Sequence, residues 1–196
     1  LAAGGQYLHT SPEFALKRLL AAGEQKIFTL GPVWRDEPAG PLHRREFTLL
    51  EWYRAGADYT AIQTDALALA ALAVEAAGTD ALRHGVHTAD PRLPARRLTV
   101  AEAFLAFAGV DVLAHLEGPV GLARAGGLTP RPGEDFTDVF SRRLVERVEP
   151  ALPSLGLVVL DEYPAPEAAL ARRSPHDPRV AERFELYACG VERANG

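Results

Sequence analysis

Apolar and polar positions along the chain follow two periods. Residues 26–35, KIFTLGPVWR, and 46–54, EFTLLEWYR, alternate with a period of two and predict two strands. The stretch between them, DEPAGPLHRR, is rich in turn-forming Pro and Gly, so the pair predicts an antiparallel hairpin. Residues 10–23 predict a short helix with Ser11 as N-cap, Pro12 at the first helical position, an apolar stripe of Leu16, Leu19 and Leu20, and Gly23 as the stop. From Asp58 to about Ala77 the chain is rich in Ala and Leu and predicts a long buried helix. Residues 78–98 read as loop. Thr99, with Glu102 three residues on, forms a capping-box pattern that opens a helix over 100–108. Glycines and prolines break 111–134 into short helical pieces. Residues 136–149 predict an amphipathic helix with Phe136, Val139, Phe140, Leu144 and Val148 on one side. Residues 155–160 predict a strand, 166–173 a short helix and 180–191 a further strand. The sum is an α+β fold, an antiparallel β-sheet flanked by helices, and 196 residues predict a single domain.

Composition narrows the class. Hydrophobic residues make up 47% and charged residues 24%, as in an ordinary globular protein. Lys and Arg total 21 against 26 Asp and Glu, a net charge of −5, which disfavours non-specific nucleic-acid binding. The single cysteine, Cys189, rules out an intrachain disulfide and a Cys-based zinc site, and reads as a small buried residue. No apolar run approaches the roughly 20 residues of a membrane span and no signal peptide opens the chain, so the expected compartment is the cytoplasm. The sequence contains no methionine, which predicts that it begins inside a longer chain or after removal of a leading segment.

Alternation sorts the hairpin's side chains. Val33 and Arg35 share a face, with Glu37 continuing the spacing, and Phe47, Leu49, Glu51 and Tyr53 share a face on the second strand. Phe28, Leu30, Trp34, Leu50 and Trp52 fall on the opposite face and read as core. Alternation alone favours an ordinary solvated face beside a buried one. The residue types suggest more: an arginine grips phosphate bidentately, a phenylalanine stacks on a flat base, and a carboxylate beside a phenol receives an ammonium. Together they suit a nucleotide joined to an amino acid.

The segments YLHTSPEFALKRLLAAG and VWRDEPAGPLHRREFTLLEWYR resemble the substrate helix and motif 2 of class II lysyl-tRNA synthetases. TSPE sides with the paralogues that lack an anticodon-binding domain, the elongation factor P lysine (β-lysine) ligases. RFELYACGVERANG is similar to the family segment RFE-x-Y-x-x-G-(I/V)-E-L-A-N-G, and LDEYPAPEAALAR to the strand and turn before it. The resemblance implies activation of lysine or β-lysine by ATP with Mg2+, as an aminoacyl-adenylate, and transfer to a lysine of elongation factor P. It implies that Ser11, Glu13, Glu51, Tyr53 and Asn195 bind the amino acid and that Arg35 is catalytic at the α-phosphate. It places Asp36, Glu37, His43, Arg44, Phe47, Glu192 and Arg193 around ATP, with Glu192 on the metal. The complete family domain is expected to be a homodimer, and tRNA is not the expected acceptor of this branch.

Three positions depart from the family pattern. Arg44 stands where the family has Asn, Arg45 where it has Pro, and Arg193 where it has Leu; a buried arginine beside the metal ligand would be costly. Motif 1 should precede residue 1 and motif 3 should follow Gly196, so a partial catalytic domain over 1–196 with exposed apolar surface is expected. Arg142–Arg143 and Arg172–Arg173 read as solvated faces, and His9, His84, His87, His115 and His176 as surface or core residues. Two other functions fit the same residues: a lysyl-tRNA synthetase catalytic fragment, and a degenerate, non-catalytic paralogue that binds ATP or the amino acid.

Overall fold

The structure, a computed structural model, describes residues 2–3 and 5–196 and divides into two units, Leu1–Asp58 and Tyr59–Gly196. In the first unit β1 (Ala2–Ala3) pairs antiparallel with β2 (Gln6–Tyr7), and α1 spans Glu13–Ala21. Then β3 (Lys26–Trp34) and β4 (Glu46–Arg54) pair without a break, from Lys26 opposite Arg54 to Trp34 opposite Glu46. The hairpin and its 36–45 loop therefore match the sequence reading.

Two details of this unit differ. The helix begins at Glu13 with Pro12 as its cap, because the Ser11 hydroxyl, which accepts from the Glu13 N–H at 3.1 Å, also donates to Glu51 and so sits one residue further back. The second correction concerns the two faces of the hairpin. Phe28 and Leu30, read as core, are 72% and 65% exposed, while Val33 on the polar-bearing face is 2% exposed. Alternation separates two faces but does not say which one is covered; here the 9–11 segment and α1 lie on the Glu51 face. Trp34 N–H donates to the His9 carbonyl at 3.1 Å and Ser11 bridges to Glu51. Within α1 only Leu16 of the predicted stripe is fully buried; Leu19 is exposed.

The second unit opens with α2 (Tyr59–Ala76). Its buried positions are Gln63, Ala66 and Val74, and Leu72 is exposed, so the helix is buried along one stripe rather than all round. Residues 78–98 are more ordered than their composition predicted: β5 (Leu82–His84) and β6 (His87–Ala89) form a hairpin, and β7 (Arg96–Thr99) joins the main sheet. β7, with four residues and two arginines, shows no apolar alternation. Next come α3 (Val100–Ala103), continued by a π turn over 104–108, then α4 (Pro119–Ala125) and α5 (Phe136–Arg143), continued by a π turn and a 3-10 segment to Leu155. The sheet is completed by β8 (Leu157–Pro164), β9 (Val180–Ala188) and β10 (Val191–Asn195), in the order β10-β9-β8-β7. All pairs are antiparallel except β7 with β8, which is parallel. The α+β class stands, with a mixed rather than purely antiparallel sheet. Between β8 and β9, a single 3-10 turn at 165–167 replaces the predicted 166–173 helix.

The capping box at Thr99 and Glu102 is formed in both directions: Glu102 N–H donates to the Thr99 hydroxyl at 3.1 Å, and Thr99 N–H to the Glu102 carboxylate at 2.8 Å. All five apolar positions predicted for α5 and its extension enter the core with Phe104, Val158, Leu160 and Tyr163. Phe140 stacks on Phe104 at 4.9 Å between ring centroids. Arg142 and Arg143 are not a solvated face. Arg142 pairs with Glu134 at 2.9 Å, and the largely buried Arg143 donates to the Ala108 carbonyl at 3.3 Å, capping the end of the preceding helix with a cation.

Candidate active site

The first cluster lies wholly within the first unit. β4 presents Glu51 and Tyr53 from one face, and the segment leading into α1 brings Ser11 against them. Ser11 Oγ donates to Glu51 Oε2 at 2.7 Å and Tyr53 Oη donates to Glu51 Oε1 at 2.7 Å. Each carboxylate oxygen thus has one fixed donor, and an ionised carboxylate has capacity for about four hydrogen bonds. Glu13 opens α1, where Lys17 donates to its Oε1 at 2.6 Å. Burial, followed by the hydrogen bond and charge of Glu51 and then the charge of Glu13, pushes the Tyr53 hydroxyl well above its ordinary value. Tyr53 is therefore a neutral donor at any physiological pH. The cluster combines two carboxylates with two hydroxyls, a set suited to an ammonium.

The second cluster is at the other end of the same hairpin. The Arg35 guanidinium lies over the Phe47 ring, 5.2 Å from its centroid. Arg35 Nε donates to the Thr10 carbonyl at 3.4 Å, and its backbone N–H to the Arg45 carbonyl at 2.9 Å. The loop closes through Arg45: its Nε donates to the Glu37 carbonyl at 3.3 Å and its Nη1 lies 3.8 Å from Asp36 Oδ1. The turn inside the loop is made by Gly40 N–H on the His43 carbonyl at 3.0 Å. Asp36, Glu37, His43 and Arg44 are all exposed. An arginine replacing the family's proline at 45 thus still closes the loop, through side-chain bonds. Thr10 and Lys17 are contacts that the sequence reading did not single out, and Arg45 was noted there only as a departure from the family pattern.

The third set belongs to the second unit. Asn195 Nδ2 donates to Glu192 Oε1 at 2.8 Å on β10. A bulge between Glu192 and Ala194 sets Glu192 opposite Tyr187 and Asn195 opposite Glu185, so these four share one face of the sheet. Arg193 lies in that bulge and is exposed, so the expected burial cost of an arginine there does not arise. Glu185 is 7% exposed and fixed from two sides, by Arg183 Nη2 at 2.8 Å and Tyr187 Oη at 2.6 Å. Arg183 in turn donates to the Glu167 carbonyl at 2.6 Å and lies over the Tyr163 ring. Burial, then the charges of Glu185 and Glu192, push the Glu149 carboxyl upward. Glu185 and Glu149 were missed in sequence; the seven-residue spacing from Glu185 to Glu192 across a tight turn was the available signal.

The donor set can be tested against Mg2+. Magnesium takes one or two protein carboxylates and completes its shell with water and substrate phosphates. Among the described residues no group of three or more His, Cys, Asp or Glu forms a closed cage, and Glu192 is an exposed carboxylate oriented by Asn195. An exposed, oriented carboxylate of this kind fits a Mg2+ that would take its remaining ligands from outside the protein.

Comparison with known proteins shows the family. The family model described as tRNA synthetases class II (D, K and N) matches residues 2–196. The chain is 40% identical over 199 residues to a Vibrio cholerae protein named elongation factor P--(R)-beta-lysine ligase, covering 99% of this chain and 56% of that protein. It is 40% identical to proteins of the same name from Pseudoalteromonas translucida and Actinobacillus succinogenes, each match covering 97% of this chain and 55% and 54% of the relative. The chain therefore spans about half the length of the curated relatives it matches. With the described hairpin, the mixed sheet and a family match over nearly every residue, the chain belongs to the class II tRNA synthetases of the D, K and N group.

Proposed function

We propose that this chain carries the ATP-binding and amine-binding part of a ligase that activates lysine or β-lysine and passes it to a lysine of elongation factor P. The observation that carries the reading is the Ser11–Glu51–Tyr53 cluster, an ammonium receptor on the same hairpin as Arg35 and Phe47. The names of the relatives point the same way.

In this reading Ser11, Glu13, Glu51 and Tyr53 hold the substrate's amino groups, and Asn195 is a further amino-acid-binding residue. Arg35 leaves the Phe47 ring for the α-phosphate, because a charge-assisted, bidentate contact outweighs an exposed cation–π contact of roughly 0.5–1 kcal/mol. The vacated ring then stacks on adenine. Asp36, Glu37, His43 and Arg44 line the loop that binds the phosphates, and Arg193 is a further ATP-binding residue. A bound Mg2+ would neutralise phosphate charge, with Glu192 as its protein ligand and Glu185 as the neighbouring carboxylate. An oxygen of the substrate carboxylate attacks the α-phosphorus, the bond to the β-phosphate oxygen breaks, and pyrophosphate leaves. Arg35 stabilises the charge that builds on the α-phosphate oxygens. The ε-amine of the acceptor lysine then attacks the acyl carbon, AMP leaves, and the amine gives up a proton. No side-chain nucleophile is required; positioning and electrostatics suffice.

Two readings compete: a lysyl-tRNA synthetase catalytic fragment and a non-catalytic paralogue. Incubation of the complete protein with Mg-ATP, lysine or β-lysine in parallel, and either elongation factor P or tRNA separates all three. Intact-mass analysis is expected to show elongation factor P heavier by one aminoacyl group. Charged tRNA with unmodified elongation factor P would transfer the case to the synthetase, and neither product would leave a binding protein.

A further inference from the structure

Glu13 and Glu51 are both at the amine end of the site, but they are held differently. Glu51 receives only neutral donors, the hydroxyls of Ser11 and Tyr53. Glu13 receives an internal cation, the Lys17 ammonium one helical turn along α1, at 2.6 Å from Oε1. The two carboxylates lie close enough that both act on the Tyr53 hydroxyl. Two carboxylates against one ammonium leave the cluster with a single negative charge. Lysine and β-lysine at neutral pH carry two ammoniums and one carboxylate, a single positive charge. A diamine of the same length carries two.

We propose that Lys17 is a specificity-determining residue: its ammonium on Glu13 matches the amine end to a monocationic amino acid and disfavours dicationic amines. The inference rests on the lysine-like substrate argued above. Lys17 does its work through charge, since the pair is about half solvated, with side-chain exposures of 45% and 29%. Solvent screening at that exposure limits the effect to about fivefold in relative affinity. A purely structural role, support of α1 through an i,i+4 pair, predicts something different: loss of Lys17 would alter affinity for all amines alike.

Dissociation constants of (R)-β-lysine, L-lysine and cadaverine for the complete protein test this in three versions: wild type, Lys17→Met and Lys17→Arg. Met has a helix propensity similar to that of Lys, and position 17 is exposed, so the helix is retained. Lys17→Met is expected to shift affinity about fivefold towards cadaverine relative to the amino acids, and Lys17→Arg to keep the wild-type ratio. An unchanged ratio in Lys17→Met overturns the proposal, as does an equal shift in Lys17→Arg. A wild-type protein that binds neither amino acid overturns the substrate reading itself, and the role of Lys17 with it.

Discussion

In the proposed reading Glu51 is the residue on which the amine end turns, and Ser11 and Tyr53 each fix one of its oxygens at 2.7 Å. Glu51→Gln keeps the shape but removes the charge, and is expected to raise KM for the amino acid at least tenfold while KM for ATP changes little. Initial-rate kinetics with each substrate varied in turn would check it. Arg35 is proposed to act on the reaction rather than on the amine: Arg35→Ala is expected to lower kcat by about 10²–10³-fold, the usual loss for one preorganised donor to developing charge. Single-turnover rates would measure it. Tyr53 gives a prediction with a definite sign. Its folded-state value lies above the ordinary 10.0, so its contribution to stability is complete below pH 10 and is lost as pH rises beyond it. An ultraviolet titration should therefore show that Tyr53→Phe removes a tyrosinate step above the ordinary range; loss of a step near pH 10 would contradict the hydrogen bond. These residues were legible because residue type and alternation were enough to group them. Lys17 was not singled out, since an exposed lysine on a helix says nothing by itself about which carboxylate it meets.

At the scale of elements, strong local patterns survived and context-dependent ones did not. The hairpin, the Thr99 capping box and the five-residue apolar face of α5 were all visible, because each is dictated by neighbours in sequence. The covered face of the hairpin was misassigned, since Phe28 and Leu30 are as apolar as any core pair and only the position of the 9–11 segment decides the matter. β7 was missed because its pairing with β8 lies more than sixty residues away and its side chains include Arg96 and Arg97. Arg97 shows why an arginine belongs there: its Nε lies 2.5 Å from Asp161 Oδ2, on a carboxylate with no exposed surface, which also accepts from Gln63 of α2 at 3.0 Å. Burial raises the Asp161 carboxyl more than Gln63 and Arg97 lower it. The pair should therefore be asymmetric to mutation. Arg97→Ala strands a buried charge and is expected to cost about 3–5 kcal/mol near neutral pH, whereas Asp161→Asn is expected to be close to neutral. Urea denaturation of the two variants would show it, and equal losses would contradict the burial argument. Phe140→Ala, which opens a cavity against Phe104, is expected to cost about 3–5 kcal/mol by the same measurement.

At the scale of the whole molecule, the residues proposed to act fall in both units, Ser11 to Tyr53 in the first and Glu192 to Asn195 in the second. Among the described residues no helix is long and apolar enough to cross a membrane. Family membership rests on a match over residues 2–196, while the reaction is argued from two hairpin clusters and a carboxylate pair. A protein that binds Mg-ATP must be stabilised by it through mass action, so thermal unfolding should move upward with Mg-ATP, and less so in Phe47→Ala. The central claim, that this site joins a lysine-like amino acid to AMP, is tested most directly by ATP–pyrophosphate exchange with the complete protein. Exchange that depends on lysine or (R)-β-lysine and falls sharply in Arg35→Ala is the predicted result; no exchange with either amino acid would contradict it.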